Sequence, residues 1–273
     1  MAATPARLIL EPHGDGLRQM AADAWLCRSG RDPLHLRLYQ WTPWTLSLGH
    51  SQAWDPALAE RCQRAGVPVV RRETGGRAVY HADELTYCVT IPVDSPFHTS
   101  SLPEAYARIN RALARGLERI GVPCGQESRR VDMAAAYRQE LGGLCFAATA
   151  RSEVLWDGRK LVGSAQRQLR HGLLQHGSLM LGDAHYGIAE LFFDDAELRA
   201  RSREKLARST TCLSEILGQA PEFRVLAAAL AQGFEEEYHV TLTERPFDSA
   251  EEDALLALRD EFLPEARNLP ASR

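Results

Sequence analysis

Hydrophobic positions along this chain change period several times, and each change marks an element. From Asp15 to Gly30 the spacing is helical and stops at glycine; a second helical stretch opens at Asp55-Pro56, with proline in its first turn, and closes at Gly66. Short apolar or alternating runs predict strands at about 34–41, 45–49, 67–72, 78–80 and 84–91. Ser101-Leu102-Pro103-Glu104 has the residues of a capping box. Behind it Ala105, Ile109, Leu113 and Leu117 recur at helical spacing, so a helix is expected as far as Gly121. Residues 122–143 show no clear period. Strands resume at about 144–149, 152–156, 159–166 and 171–181, with Asp157-Gly158 as a turn between two of them, and the remainder reads as largely helical. The tract FDDAELRARSREKLARS from Phe193 predicts a helix with one solvated face.

Composition narrows the class. The 273 residues are 45% hydrophobic, enough for a sizeable core, and no repeat or low-complexity linker divides them, so one domain is expected over 1–273. A balance of 32 basic against 36 acidic residues, net −4, argues against a nucleic-acid partner. No apolar run of about 18 residues predicts a membrane span, and Met1 to Ala6 lacks the start of a secretion signal, which points to the cytosol. Cysteines at 27, 62, 88, 124, 145 and 212 form no CxxC or metal-like pair, so no metal is expected and most of them read as small buried hydrophobes.

Two segments carry candidate chemistry. In LGGLCFAATARSEVLWDGRKLVGSAQ, Cys145 lies in a short apolar run and Lys160 follows the Asp157-Gly158 turn, so the two side chains are placed to meet across a sheet. An ammonium beside a thiol favours the nucleophilic thiolate. Taken alone, a cysteine before phenylalanine usually reads as packing. Upstream, VVRRETGGRAVYHADELTYCVTIP places Gly75 and Gly76 between two apolar-rich runs as strand, loop, strand. The glycines permit close backbone approach, and Arg71, Arg72 and Arg77 offer forked donors for phosphate or carboxylate. The segment matches neither the phosphate loop nor the dinucleotide fingerprint.

In this order, Arg71 to His81, Glu84-Leu85-Thr86-Tyr87, Lys160 to Gln166, and Gln175-His176-Gly177-Ser178 resemble the lipoate–protein ligase and octanoyltransferase group of the biotin/lipoate ligase superfamily, and Leu36 to Gln52 resembles its entry strands. The resemblance implies an α/β (α+β) fold with a mixed, largely antiparallel sheet flanked by helices, a catalytic core at 31–245 and a helical tail at 246–273. Two chemistries occur in the group. Ligases activate free lipoate or octanoate with ATP and magnesium and hold the acyl-adenylate with the lysine matched here by Lys160. Cysteine-dependent octanoyltransferases need no cofactor: they take octanoate from acyl carrier protein onto a cysteine and pass it to a lysine of a lipoyl-domain protein, such as the glycine cleavage H protein or a 2-oxoacid dehydrogenase acyltransferase subunit.

Cys145 stands at the transferases' thiol position, Arg77 stands where ligases usually have a third glycine, and the part after about residue 210 resembles the short transferase tail. The second chemistry is therefore expected, with Cys145 and Lys160 catalytic. The resemblance implies substrate contacts from Arg72, Gly75, Gly76, Arg77, Ala78, Val79, Tyr80, His81, Gly163, Ser164, Gln166 and His176, with Arg77 meeting the carrier's phosphopantetheine arm or acidic surface. Val79, Leu85, Tyr87 and Val162 are expected as walls of an acyl tunnel, and Lys160 and His176 both remain open as the proton relay.

Overall fold

The computed structural model describes residues 3–29, 31–126 and 154–265. The strands expected at 144–149 and at the start of 152–156, and Cys145 itself, lie outside the described residues. The main sheet has eight strands: β1 (Thr4–Glu11), β2 (His35–Tyr39), β6 (Glu84–Pro92), β7 (Gly125–Gln126), β8 (Val154–Trp156), β9 (Arg159–Gln168), β10 (Gly172–Met180) and β11 (Val240–Glu244), ordered β11-β1-β2-β6-β10-β9-β8-β7. Its first two neighbour pairs, β11–β1 and β1–β2, are parallel and the others antiparallel. The β8–β9 turn is the expected one, with Asp157 and Gly158 both at positive φ (47° and 72°), the geometry that matches the twist of a hairpin.

A small second sheet holds β3 (Thr45–Leu48), β4 (Val69–Arg71) and β5 (Val79–His81), ordered β4-β3-β5. The Gly75-Gly76 loop is therefore not a hairpin loop. Its flanking strands both pair with β3 and not with each other, and the apolar run from Glu84 belongs to the other sheet.

Helices form where the spacing places them: α1 (Gly16–Ser29), α2 (Pro56–Arg64) and α3 (Leu102–Glu118). Ser101 caps α3 by accepting from the Glu104 amide, but the Glu104 carboxylate accepts from Thr99 instead of closing the box. The later helices are α4 (Ile188–Phe192), α5 (Ala196–Ser209), α6 (Leu213–Leu217), α7 (Phe223–Tyr238) and α8 (Ser249–Leu258). The charged tract is α5, which buries only Ser202 and Leu206.

Helical periodicity does not mark β1 or β11. Each finds its partner far away in sequence, and the C-terminal part expected to be helical supplies an edge strand. Arg7, near the middle of β1, is buried and reaches Glu251 in α8 at 2.7 Å, which ties the last helix to the sheet edge.

One face of the main sheet packs Leu36, Leu85, Tyr87, Val89 and Leu179 against α3 and α7. These two helices cross closely at glycines: a Cβ on Gly116 would lie 2.7 Å from the Leu230 Cα, and one on Gly233 would lie 2.3 Å from the Ala112 carbonyl oxygen. The other face is covered by α1 and the small sheet. Gly233→Ala should lower unfolding stability by about 1–3 kcal/mol through overpacking, read as a lower urea midpoint at unchanged slope.

Candidate active site

Strand register builds the site. Tyr39 pairs with Thr86, Thr86 with Ser178, and Ser178 with Gly163, so four strands place one residue each in a single row across the face under α1. All four line one mostly apolar pocket, and the row itself, three strand spacings, spans about 14 Å. Val79 and His81 from the small sheet, Arg72, Met20 from α1 and Trp41 add to its walls, and Lys160 stands at the β9 end.

A bulge aims Lys160. Val154 pairs with Val162 but Leu155 with Lys160, so Leu161 is an extra residue. Leu161 and Val162 both join the core on the α3 side, while Lys160 and Gly163 on either side of them face the pocket. Without the extra residue, strict alternation would send Lys160 with Val162 into the core. Lys160 is 5% exposed.

The polar groups of the floor are satisfied away from the pocket. Glu84 Oε1 accepts from Thr86 Oγ1, from Ser178 Oγ at 2.8 Å and from His81 Nδ1 at 2.8 Å; Trp41 Nε1 donates to Thr86 Oγ1 at 2.7 Å. His81 stacks on Trp41 (4.0 Å, 13°), and its Nε2 meets Ser47 Oγ at 2.7 Å. Deeper, His176 bridges Asp23 Oδ2 (2.9 Å) and Thr74 Oγ1 (2.6 Å), which ties the glycine loop to the sheet. Burial holds His176 below the usual imidazole range against the pull of Asp23. Burial alone would raise the Asp23 carboxyl, but the hydrogen bond from His176 and the charge of Arg37 keep it low. A neutral imidazole thus faces an ionised carboxylate.

Of the residues singled out in the sequence, Lys160, Gly163, Ser164, His176, Arg72, Val79 and His81 come together around the pocket. Others do not line it. Leu85, Tyr87 and Val162, expected as tunnel walls, lie on the opposite face in the α3–α7 core, because alternation sends Thr86 and Gly163 to the pocket and their neighbours away. Gln166 pairs with Gln175, whose amide reaches Asn110 of α3, on that same far side. Ala78 packs with Leu46 and Leu48, and Tyr80 meets Trp44 edge-on. Gly76 (φ 94°) sets its carbonyl against Gly49, while Gly75 and the Arg77 carbonyl are held by Arg72.

Arg71 and Arg72, read as donors for an anion, direct their guanidinium groups to main-chain carbonyls: Arg71 to Gly49, Gln52 and Pro264, Arg72 to Ser47, Gly75 and Arg77. Among the pocket residues that sequence reasoning missed are Met20, Tyr39, Trp41, Thr86 and Ser178. Ser178 closes a quoted motif without being read as a site residue, and alternation from His176 would have found it.

The chain matches the lipoyl protein ligase A/B catalytic domain over residues 15–235, most of its length. The chain belongs to this family. Octanoyltransferase LipM of Moorella thermoacetica is 33% identical over 269 residues, 96% of this chain and 97% of that protein. The LipM of Exiguobacterium sibiricum is 32% identical over 239 residues, 85% and 86% of the two chains. Among solved structures, a bi-partite lipoate protein ligase from Thermoplasma acidophilum shares the fold at TM-score 0.76 and 19% identity, covering 98% of this chain and 99% of that one. A lipoate-protein ligase A bound with ATP does so at TM-score 0.71 and 20% identity, with 96% and 99% covered.

As in other folded domains, buried neutral histidines give this lipoyl protein ligase A/B catalytic domain an acid limit. Burial pushes His185 down to about 4, against its hydrogen bond to the Gly182 carbonyl, so below about pH 6.5 the unfolded chain takes up protons that the folded chain refuses. Stability should therefore fall as pH drops from roughly 6.5 to 4, by up to about 3 kcal/mol from this group. His185→Gln should flatten that slope in urea titrations at pH 7.5, 6 and 5.

Proposed function

We propose that the chain is an octanoyltransferase of protein lipoylation: it moves octanoyl from acyl carrier protein, through a thioester on Cys145, to a lysine of a lipoyl-domain protein such as the glycine cleavage H protein or a 2-oxoacid dehydrogenase acyltransferase subunit. The observation that carries this reading is the bulge that turns Lys160 into an apolar pocket, in a chain that LipM octanoyltransferases match along nearly its full length. An extended eight-carbon chain measures about 9 Å, so the row from Gly163 to Tyr39 is long enough to hold it with its carbonyl end toward Lys160.

In the first step the Cys145 thiolate, favoured by the Lys160 ammonium, attacks the donor's thioester carbon and the carrier's thiolate leaves. One thioester replaces another, so this step is near balance. In the second step the neutral amine of the acceptor lysine attacks the acyl-enzyme; an amide forms, Cys145 leaves as thiolate, and the amine's proton is released. His176 is a poor relay, since both ring nitrogens are already engaged by Asp23 and Thr74. Lys160 is the better candidate. The reaction needs neither metal nor nucleotide, because the acyl group arrives activated. The family model covers both chemistries, and the ligase structures that share the fold are 20% identical or less, against 32–33% for the LipM relatives.

Intact mass measurement after mixing with octanoyl-acyl carrier protein, without ATP, tests the relay. An octanoyl adduct removable by hydroxylamine is expected, and Cys145→Ala should lose both adduct and transfer by orders of magnitude while remaining folded. Transfer at near wild-type rate by Cys145→Ala, or strict dependence on ATP and free octanoate, would falsify the assignment. Lys160→Ala should slow Cys145 alkylation several-fold at pH 7 and much less at pH 9; superimposable alkylation profiles would remove Lys160 from tuning the thiol.

A further inference from the structure

Beside the Lys160 end of the pocket stands a helix with no part in the steps above. Thr210, which follows the last residue of α5, is bridged to Lys160 in parallel, and the Thr211 amide donates to the Lys160 carbonyl at 3.0 Å. The helix carries Arg199, Arg201, Arg203, Lys205 and Arg208 against Glu197 and Glu204, a basic excess in a chain whose net charge is −4. Arg203 is paired with Glu190 of α4 at 2.9 Å and Arg208 with Glu204 at 3.0 Å. Among the described residues Arg199, Arg201 and Lys205 form no ion pair, and Glu197 is the one carboxylate of the helix outside a pair.

Arg201 and Lys205 stand four residues apart and share one flank of α5, whereas Arg203, two residues from each, turns to α4 on the other. By helical rise the two lie about 13 Å and 7 Å along the axis from Thr210, and so from the backbone of Lys160. A donor thioester brought to Lys160 hangs on a phosphopantetheine arm of about 13 bonds between sulfur and phosphorus, roughly 15 Å when extended. With the thioester at Lys160, the phosphate therefore falls within the range of these two side chains. The arginines of the glycine loop do not offer themselves for it: Arg71 and Arg72 serve main-chain carbonyls, and Arg77 is buried.

We propose that Arg201 and Lys205 bind the phosphate of the donor's phosphopantetheine arm and so set the thioester at the Lys160 end of the pocket. The assignment to the donor rests on the acyl-transfer reading. A forked guanidinium beside a compact ammonium suits the oxygens of one phosphate, and neither group has to leave a carboxylate to take it.

Saturation-transfer NMR titration of the full-length protein with phosphopantetheine, and with pantetheine as the counterpart lacking only the phosphate, tests this. Phosphopantetheine should bind at least fivefold more tightly. The double variant Arg201→Ala/Lys205→Ala should erase that difference, while Arg203→Ala on the α4 flank should keep it; Arg201 is exposed and Lys205 half-buried, so an unchanged urea midpoint is expected of the double variant. In self-acylation the double variant should raise the KM for octanoyl-phosphopantetheine and for octanoyl-acyl carrier protein at least fivefold and leave octanoyl-pantetheine and the acceptor KM unchanged. Equal binding of the two probes, a difference that survives in the double variant, or its equal loss in Arg203→Ala would overturn the proposal, as would a raised acceptor KM with an unchanged donor KM. The probe titration uses no acyl group, so it judges the phosphate site even if Cys145 forms no octanoyl adduct.

Discussion

Three donors converge on Glu84 Oε1, and the character of the pocket depends on that convergence. Thr86 and Ser178 occupy the middle of the row on which an acyl chain would lie, and free hydroxyls there would demand water. By donating to one buried carboxylate they leave carbon facing the cavity. The same carboxylate fixes the ring of His81, which roofs the pocket, and through Thr86 it orients the indole of Trp41. An apolar surface is thus made from polar residues.

Much of this was legible in the sequence, because the signals were local. Three helices, the Asp157-Gly158 turn and most strands are marked by spacing or turn chemistry, and Lys160, His81 and His176 stand out by residue type within their motifs. What stayed hidden depends on partners far along the chain. Thr4–Glu11 is a strand because residues 35–39 and 240–244 flank it. The side of the sheet that Leu85 or Gln166 faces follows from which surface α1 covers. The bulge at Leu161 exists only as a mismatch between two strands.

The arginines of the glycine loop teach a related lesson. Forked donors beside glycines suggest an anion site, but a loop that leaves one strand and returns to another on the far side of β3 has many carbonyls to satisfy. Arg71 and Arg72 supply those donors from within, and Arg71 also clasps the carbonyl of Pro264. Arg28 adds a further tie, bonding both Glu73 of the loop and Glu261 near the chain's last helix. The loop is held from the sheet below by His176 and from the C-terminal segment beside it.

The parallel pairing of β1 with β11 bears on how this polypeptide emerges from the ribosome. The outer neighbour of β1 lies more than two hundred residues later in the chain, and until then β2 gives it only one covered edge. Throughout synthesis that open edge, carrying the run Leu8-Ile9-Leu10, is available to any passing strand. The nascent chain is therefore most exposed to misassociation until residues 240–244 are released, and chaperone contact in that interval should centre on Thr4–Glu11.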